Sequence, residues 1–421
     1  MNRGRYRWGS KDLLHKIADM PHEAWHWLKA KASLAAHEKK LLWAAHKMDV
    51  QMGYVEALTK RLRWRLDVST AGESPKPLTS LERELLKRIE RERDAHNRNN
   101  VARTAAYLNI YREHRELHWA LLAHLVSRNG GWCMTDLKGE LLPLLLNVTQ
   151  REAVFAFLER ANALIFRDAY PQLLLYRASL QHQRPLFHLL PQLGVSAFMR
   201  PVWELFWERR DSVCLTIGLI VNEQHHIEQR VVQHPVFRHS VIETLFFQAQ
   251  SLLQLNQVVF PYVHNDRIRM AGLILENFSN VQERIEIGKK LYAILFGIPV
   301  VFEGAKRFAF STRHSGSRAD YWPHLFSCVR KQSPVLHGQL QERLDGCRLR
   351  PGAVQLFSPN LLTSWKDRPV APPEPGDWFQ DMQVVRYFAS IEAPFSFEMT
   401  QEYCFGLSKI ELAVLAGDLL V

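Results

Sequence analysis

Apolar residues recur at helical spacing through most of the first 300 residues, and the clearest stretch lies between Tyr107 and Leu125. Its apolar and aromatic side chains fall three or four positions apart, which places them on one face of a helix. The stretch is followed by Ser127-Arg128-Asn129-Gly130-Gly131, where Asn and Gly tolerate the left-handed conformation that closes a helix. The pattern predicts one helix that is buried on one side.

Further helices are predicted from the same periodicity and from capping patterns. Thr79 with Glu82 and Thr149 with Glu152 match the capping box, which satisfies free amides at a helix start. Apolar stripes mark the remaining predicted helices, at 22–65, 154–165, 213–231, 242–260 and 280–296. The predicted fold class is mainly α, a multi-helix bundle or stack.

The sequence changes character after Gly297. Short pieces that look extended follow at 298–302, 307–311 and 354–357, and the proline-rich run 369–375 is predicted to be loop. A short helix from Lys409, capped by Ser408 and Glu411, is predicted to close the chain. The C-terminal region is therefore expected to be loop-rich and partly extended.

A chain of 421 residues exceeds the size at which single cores usually stop growing, about 250 to 300 residues. The expected organisation is a basic helical N-terminal appendage (1–70), a linker (71–80), a helical core (81–296) and a mixed C-terminal region that packs on the core (297–421). The linker is placed at a run of turn-forming residues.

Five cysteines, an odd number with no Cys-x-x-Cys pair, indicate reduced thiols and a cytoplasmic protein. They are Cys133, Cys214, Cys328, Cys347 and Cys404. The longest strongly apolar run near the middle, Leu291–Phe302, is shorter than the roughly 18 to 20 residues that a membrane span needs. No transmembrane helix or secretory signal is predicted.

Positive charge is concentrated near the amino terminus. Residues 1–100 contain 21 Lys and Arg against 13 Asp and Glu, a net charge of +8 out of +11 for the whole chain. Arginines alternate with Tyr6, Trp8 and Trp64, and they could grip phosphates while the rings stack or sit at a lipid surface. The candidates for docking a nucleic acid or an anionic membrane are Arg3, Arg5, Arg7, Arg61, Arg63 and Arg65. A merely solvated basic face remains the alternative.

The segment Asn100–Glu140 includes Arg103-Thr104-Ala105-Ala106-Tyr107, His118-Trp119-Ala120-Leu121-Leu122-Ala123-His124 and Ser127-Arg128-Asn129-Gly130-Gly131-Trp132. With Asn222-Glu223-Gln224 and Leu253-Gln254-Leu255-Asn256-Gln257, it resembles the bacterial family catalogued as domain of unknown function 2515. The resemblance covers most of the chain after the linker. It implies a Gram-positive, intracellular origin and carries over no activity, cofactor or catalytic residue.

Two irregular segments could form a polar pocket, because loops held by a rigid scaffold often carry function. The loop from Ser311 to His324 mixes acid, base, hydroxyl and cation, and the turn at 127–132 precedes Asp136. The candidate pocket residues are His118, Arg128, Asn129, Trp132, Asp136, His314, Arg318, Asp320, Tyr321 and His324. A structural loop in which Arg318 pairs with Asp320, and a plain helix terminus at 127–132, are the competing interpretations.

Two residue pairs have spacings found at metal sites in helical proteins. They are His114 with His118 and Glu223 with His226. With 19 histidines in the chain, such pairs also arise by chance and then serve only as buried or half-buried side chains. No cofactor is predicted.

The function remains open between two hypotheses. The first is a non-catalytic intracellular binding protein that recognises an anionic ligand or a macromolecular partner, including a protein. The second is a hydrolase or transferase for a phosphorylated or carboxylated substrate, with Arg318, Asp320 and His324 near Arg128. It requires these residues to share one concave pocket.

Overall fold

The computed structural model describes residues 41–71, 77–128, 133–248, 250, 253–334 and 340–420. The predicted class is confirmed, since the described chain is mainly α. Its α-helices are α1 (Met52–Ala71), α2 (Ser80–His96), α3 (Asn100–Glu113), α4 (His118–Val126), α5 (Leu142–Leu145), α6 (Val148–Gln181), α7 (Met199–Arg209), α8 (Ser212–Ile227), α9 (Pro235–Phe237), α10 (Leu245–Gln248), α11 (Val281–Gly297), α12 (Pro299–Ser311), α13 (Leu361–Ser364) and α14 (Thr400–Leu420).

Short 3-10 and π turns and a few strands connect these helices. The 3-10 turns are Met134–Lys138, Phe187–Leu193, Arg318–Asp320 and Met382–Tyr387, and the π turns are Glu228–Val232 and Arg238–Ile242. The strands are β1 (Gln257–His264), β2 (Arg267–Ile274), β3 (Phe326–Ser327), β4 (Leu344–Asp345), β5 (Arg348–Leu349) and β6 (Leu356–Phe357). None of the described helices is both long and apolar enough to cross a bilayer.

Helix α8 lies at the centre of the helical body and packs against α4, α6, α7 and α11. Close approach on two sides depends on glycine. A Cβ at Gly218 would lie 2.7 Å from a methyl of Val202 on α7, and one at Gly288 on α11 would lie 2.8 Å from a methyl of Ile220. Since the interior is packed at crystal-like density, larger residues here would push the helices apart.

A β-hairpin interrupts the helical body where the apolar stripe 242–260 predicts helix. Strands β1 and β2 pair antiparallel from Gln257 opposite Ile274 to His264 opposite Arg267. The connection is Asn265-Asp266, both with positive φ (48° and 53°), as a tight two-residue hairpin turn requires. The helix prediction is wrong for this segment, because apolar periodicity alone does not separate a short buried strand from a helix.

The predicted helix across 107–125 is two helices. Helix α3 ends at Glu113, His114 leaves the helical conformation (φ −131°, ψ 85°), and α4 begins at His118. Leu117, in the bend, is 1% exposed and lies in the core. No proline or glycine marks this break, so the sequence pattern did not reveal it.

Helix boundaries differ elsewhere for identifiable reasons. The capping box expected at Thr149 is formed by Asn147 with Gln150, two residues earlier. The capping box expected at Thr79 is confirmed. Asn280, where the predicted helix 280–296 begins, is the N-cap of α11. The prediction of extended pieces at 298–302 and 307–311 is wrong, because α12 spans Pro299–Ser311. Pro299 lies in its first turn, where proline is tolerated.

The C-terminal segment packs on the helical body. Helix α14 begins at Thr400, nine residues before the predicted start, and contacts α5, β2 and β4. Glu411, expected to cap this helix, instead accepts hydrogen bonds from the backbone amides of Arg343 and Leu344. The prediction of loop at 369–375 is confirmed.

Helix α1 lies in the N-terminal appendage and packs against α7 and the 382–387 turn. Its Leu58 and Leu62 are fully buried in the same hydrophobic cluster that includes α8 and α14 residues. The residues 1–40 and part of the expected linker, 72–76, lie outside the described chain.

Candidate functional site

A cavity of about 210 Å³ lies beside the C-terminal end of α4 and the 314–316 segment. Most of its wall is apolar, from Val126, Met134, Leu158, Leu255, Val258, Leu275, Phe278 and Leu361. The polar part of the wall includes Asn100, Ser127, Arg128, Thr135, Asn162, Asn256, Gln257 and His314. An apolar pocket with a few converging polar groups is the usual form of a small-molecule site.

Arg128 is the only cation in this wall among the described residues. It follows α4, is 5% exposed, and its guanidinium lies 4.6 Å from the ring centre of Phe308 on α12. Nη1 donates to Nε2 of His124 at 3.2 Å, whereas Nη2 has no hydrogen-bond partner among the described residues. Burial lowers the pKa of Arg128 to about 10.

Asp320 is the carboxylate that most favours the charged form of Arg128, but its oxygens already accept other hydrogen bonds. Its two oxygens accept from the backbone amide and the hydroxyl of Ser315, at 2.7 and 2.6 Å. No carboxylate oxygen of the described residues lies within 4 Å of the Arg128 guanidinium. Within the described part of the chain, the charge is therefore buried without a direct counter-ion.

A chain of hydrogen bonds fixes which nitrogen carries the proton in two histidines behind Arg128. Nδ1 of His124 lies 2.7 Å from the carbonyl oxygen of Thr104, which only accepts, so Nδ1 carries the proton and Nε2 accepts from Arg128. The Thr104 hydroxyl donates to the carbonyl of Asn100 and accepts from Nδ1 of His314 at 2.7 Å.

The electrostatics agree with this proton arrangement. Burial, aided by Arg128, lowers the pKa of His124 to about 3 and that of His314 well below its usual value. Nε2 of His314 is thus left as a hydrogen-bond acceptor, and His314 lines the cavity. Arg128 and His314 together offer a charged donor and a neutral acceptor.

The peptide at Gly316 forms another side of the cavity. Its φ of 88° is in the left-handed region, and a Cβ there would meet that of Leu361 at 2.8 Å, so only glycine fits. Its carbonyl accepts from the Thr135 hydroxyl at 2.7 Å. Cys133 lies beside it, and burial raises the pKa of that thiol, which keeps it from acting as a thiolate.

Arg318 and Asp136, two further predicted pocket residues, form a closed ion pair instead of lining the cavity. Arg318 is 2% exposed, and its Nε donates to Asp136. Ser358 donates to the other carboxylate oxygen at 3.3 Å, and Tyr321 lies 3.3 Å from Nη1 of Arg318. Burial disfavours the charged guanidinium of Arg318, but the negative charge of Asp136 outweighs that cost, so the pKa of Arg318 is raised.

Of the remaining predicted pocket residues, His118 and His324 do not line the cavity beside Arg128. His118 begins α4, about 15 Å along the helix from Arg128 at the usual rise of about 1.5 Å per residue. Its Nδ1 is 2.9 Å from the Tyr292 hydroxyl, and its ring stacks on Phe296. His324 is exposed beside Trp322. Asn129 and Trp132 lie outside the described residues.

The metal candidates are held by other contacts. His114 follows the end of α3 and lies 3.6 Å from Glu116, whereas His118 begins α4 beyond the bend. Glu223 accepts from the indole of Trp119 at 3.0 Å. His226 is buried, with Nδ1 3.7 Å from Asp168. Within the described residues, no three His, Cys, Asp or Glu side chains are grouped to hold a metal ion.

The model of the family described as "Protein of unknown function (DUF2515)" matches residues 95–404. This protein belongs to that family. It is 42% identical over 269 residues, 63% of this chain and 82% of the relative, to the "Uncharacterized protein YppC" of Bacillus subtilis (strain 168). No solved structure matches it.

The family match covers every described element of the cavity wall, from Asn100 to Leu361. The bacterial family inferred from the resemblance is confirmed, and the family brings no assigned activity.

Sequence reasoning missed Thr104, His124 and Phe308, which hold Arg128 in place. His124 and Arg128 are four residues apart near a helix end, a spacing at which side chains meet. Thr104 and Phe308 carry no such signal, because their partners are distant in the sequence. Thr104 bonds His124, 20 positions away, and His314, 210 positions away, and Phe308 contacts Arg128.

The docking candidates in α1 are partly engaged. Arg61 donates to both oxygens of Glu208 on α7, at 2.9 and 2.7 Å. Arg63 is exposed, and Arg65 lies 4.7 Å over the ring of Trp64. Arg3, Arg5 and Arg7 lie outside the described residues.

The expectation of five reduced cysteines is wrong for two of them. Cys347, after β4, and Cys404, in α14, form a disulfide that closes a separation of 57 residues. Spacing gave no hint of it, because the fold alone brings the β4–β5 turn against α14. Cys133 and Cys214 are buried free thiols, and Cys328 is an exposed one.

Proposed function

We propose that this protein is a non-catalytic binding protein for a small organic anion, a carboxylate with an apolar body, which occupies the cavity beside Arg128. The single observation that carries the proposal is the buried guanidinium of Arg128, whose Nη2 has no partner and which lacks a direct counter-ion among the described residues.

Burying a charge without a partner destabilises a protein by roughly several kcal/mol. Buried charges are therefore normally paired with an opposite charge or used to bind an ion. Phe308 and His124 hold the guanidinium in position without neutralising it. A carboxylate in the cavity would supply the missing charge and accept from Nη2. Nε2 of His314 could accept from a second polar group of the same ligand.

The apolar wall defines the rest of the ligand. Leu158, Val258, Leu275 and Phe278 surround the space that a hydrocarbon or aromatic body would fill. Apolar burial of this kind contributes about 25 cal/mol per Å². A compact monocarboxylate therefore suits the cavity better than a sugar or a free phosphate.

Catalysis has less support from the same contacts. Arg318 and Asp320, which the enzyme hypothesis needs, are bonded to Asp136 and Ser315. His314 is a weak base because its pKa lies well below its usual value, and Cys133 is kept as a thiol. Binding needs none of these groups to react.

The test is calorimetric titration of the full chain with benzoate and hexanoate, and with benzyl alcohol and hexanol as uncharged matches. We expect the carboxylates to bind and Arg128→Met to weaken them at least tenfold, the effect of losing one charge-assisted hydrogen bond of about 1.5 to 3 kcal/mol. Leu158→Phe, which fills the cavity, should weaken the acids and the alcohols alike.

Arg151→Gln is the matched control, because Arg151 is a partly buried arginine with an unpartnered Nε that does not line the cavity. It should leave carboxylate binding unchanged. Equal affinity for acid and alcohol, or full binding by the Arg128→Met protein, would rule out the proposed role of Arg128.

The proposal has a second part, that the basic N-terminal region docks a polyanion. The charge of +8 in residues 1–100, with Arg63 exposed, supports it. Binding of the full chain to a DNA duplex, an RNA strand and phosphatidylserine vesicles should fall steeply with salt. Equally poor binding to all three at low salt would exclude docking.

We also propose a cytoplasmic location. The exposed free thiol of Cys328 supports it, whereas the disulfide is more typical of oxidising compartments. Thiol alkylation in intact bacterial cells, followed by fractionation, should find the protein in the cytoplasmic fraction with Cys328 modifiable. Recovery outside the cytoplasm would overturn this part.

A further inference from the structure

A second concave surface, the arginine cleft, has a volume of about 480 Å³ and shares His314 with the cavity. One wall is a stripe along α3 with Ala102, Ala105 and Asn109 at three- and four-residue spacing, with one arginine on α3 after them and one in the turn before the helix. Arg98 and Arg112 are these two arginines, and Arg313, just past α12, faces them from the opposite element.

The small side chains of Ala102 and Ala105 make the cleft deep, because they leave the middle of the α3 stripe uncovered. Phe310 and Leu362 form apolar sides. A ligand could therefore enter between the arginines and contact both polar and apolar atoms.

The three arginines have no acidic partner in the part of the chain that the structure describes. No Asp or Glu is among the described residues that line the cleft, and none of the three forms an ion pair with another described residue. Arg112 makes one 3.4 Å bond to the Phe310 carbonyl and lies over the ring of Phe310.

Other surface arginines of this protein do have acidic partners. Arg177 pairs with Glu92 at 2.7 Å, and Arg160 pairs with Glu374 at 2.9 Å. Three guanidinium groups left unpaired around one cleft repel one another. A multivalent anion would relieve that repulsion.

We propose that the arginine cleft binds the phosphate group of a small phosphorylated ligand. A phosphate monoester carries about −1.5 to −2 charges at neutral pH and three acceptor oxygens, which suits guanidinium groups that approach from several sides. A monocarboxylate would leave most of this positive charge unbalanced. The site is separate from the cavity and does not depend on the function proposed for Arg128.

The experiment is calorimetry on the full chain at low ionic strength with inorganic phosphate, pyrophosphate and phenyl phosphate, and with benzoate for comparison. We expect phenyl phosphate to bind more tightly than inorganic phosphate, because Phe310 and Leu362 can contact its ring. If the free ion alone is recognised, phosphate and phenyl phosphate bind equally, and the apolar part of the proposal is wrong.

Arg98→Gln, Arg112→Gln and Arg313→Gln should each weaken phenyl phosphate about tenfold, since each removes a charged donor. The matched control is Arg91→Gln, because Arg91 is an exposed arginine of α2 outside the cleft. All four positions are exposed, so the variants should keep the circular dichroism spectrum of the parent.

Two results would overturn the proposal: no binding of any phosphate compound at millimolar concentration, or an equal loss in Arg91→Gln, which would indicate unspecific attraction. The Arg128→Met protein separates the two sites. It should retain phenyl phosphate binding, whereas Arg313→Gln should retain any benzoate binding.

Discussion

Arg128 and Arg318 are both buried arginines next to the 314–321 segment, and their surroundings are opposite. Arg318 has the carboxylate of Asp136 on its Nε and Tyr321 beside it, and its pKa is raised. Arg128 has a neutral histidine, an aromatic ring and an open cavity, and burial lowers its pKa to about 10.

The difference separates a structural charge from a charge that is available to a ligand. The space beside Arg318 and Asp136 is only about 30 Å³, too little for an organic molecule, whereas the space beside Arg128 is about 210 Å³. Burial of an arginine thus does not by itself identify a binding site. A missing counter-ion next to an open volume does.

The largest expected effect comes from breaking the pair at Arg318. Asp136→Ala leaves that cation buried and uncompensated, which should lower the free energy of unfolding by about 3 to 5 kcal/mol. Urea denaturation followed by tryptophan fluorescence measures it. Glu152→Ala is the control, since its partner Arg368 is exposed and the loss should stay below about 1 kcal/mol. A loss that small at Asp136 would mean that Arg318 needs no counter-ion.

The next effect concerns pH and the neutral histidine behind Arg128. The pKa of His124 is about 3 in the folded protein and near 6.5 when unfolded, so the unfolded state binds more protons between these values. Stability therefore falls as the pH falls below 6.5, and His124 contributes a loss of about 2 kcal/mol by pH 5.

His124→Gln should remove that share of the pH dependence, and His182→Gln, which replaces an exposed histidine, should not. Urea denaturation at pH 7.5, 6.5 and 5 gives both slopes. An unchanged slope in the His124 variant would show that its protonation is not linked to folding.

The smallest effect has the opposite sign. Arg128→Met removes a buried charge that has no direct counter-ion among the residues the structure describes. The ligand-free protein should therefore be unchanged or more stable by about 1 to 2 kcal/mol. The same urea experiment measures it. A loss above about 2 kcal/mol would mean that Arg128 is as well compensated as Arg318, and the comparison would fail.

Local chemistry made several parts of the fold predictable. Thr79 and Glu82 lie three residues apart, so their capping box depends on no distant contact. The hairpin was missed although Asn265-Asp266 is a recognisable turn, because the apolar residues before it also fit a helix. The break at His114 has no local signal and depends on the burial of Leu117.

The candidate site was predictable in part. Arg128 and His314 were selected as polar residues in irregular segments, and they do lie together on the cavity. Asp136 and Arg318 were selected on the same grounds, and they form the closed pair. Composition is the same in both cases, so the sequence could not tell which arginine would have a carboxylate partner.

The sequence by itself determined the mainly α class and the concentration of positive charge near the amino terminus, because these depend on residue type and on spacings of a few positions. The bacterial family followed from the resemblance of its segments to that family. Only the tertiary structure decided which arginine is left without a counter-ion and which two cysteines pair. Those outcomes depend on contacts such as Thr104 with His314 and Cys347 with Cys404, which join distant segments that only packing brings together.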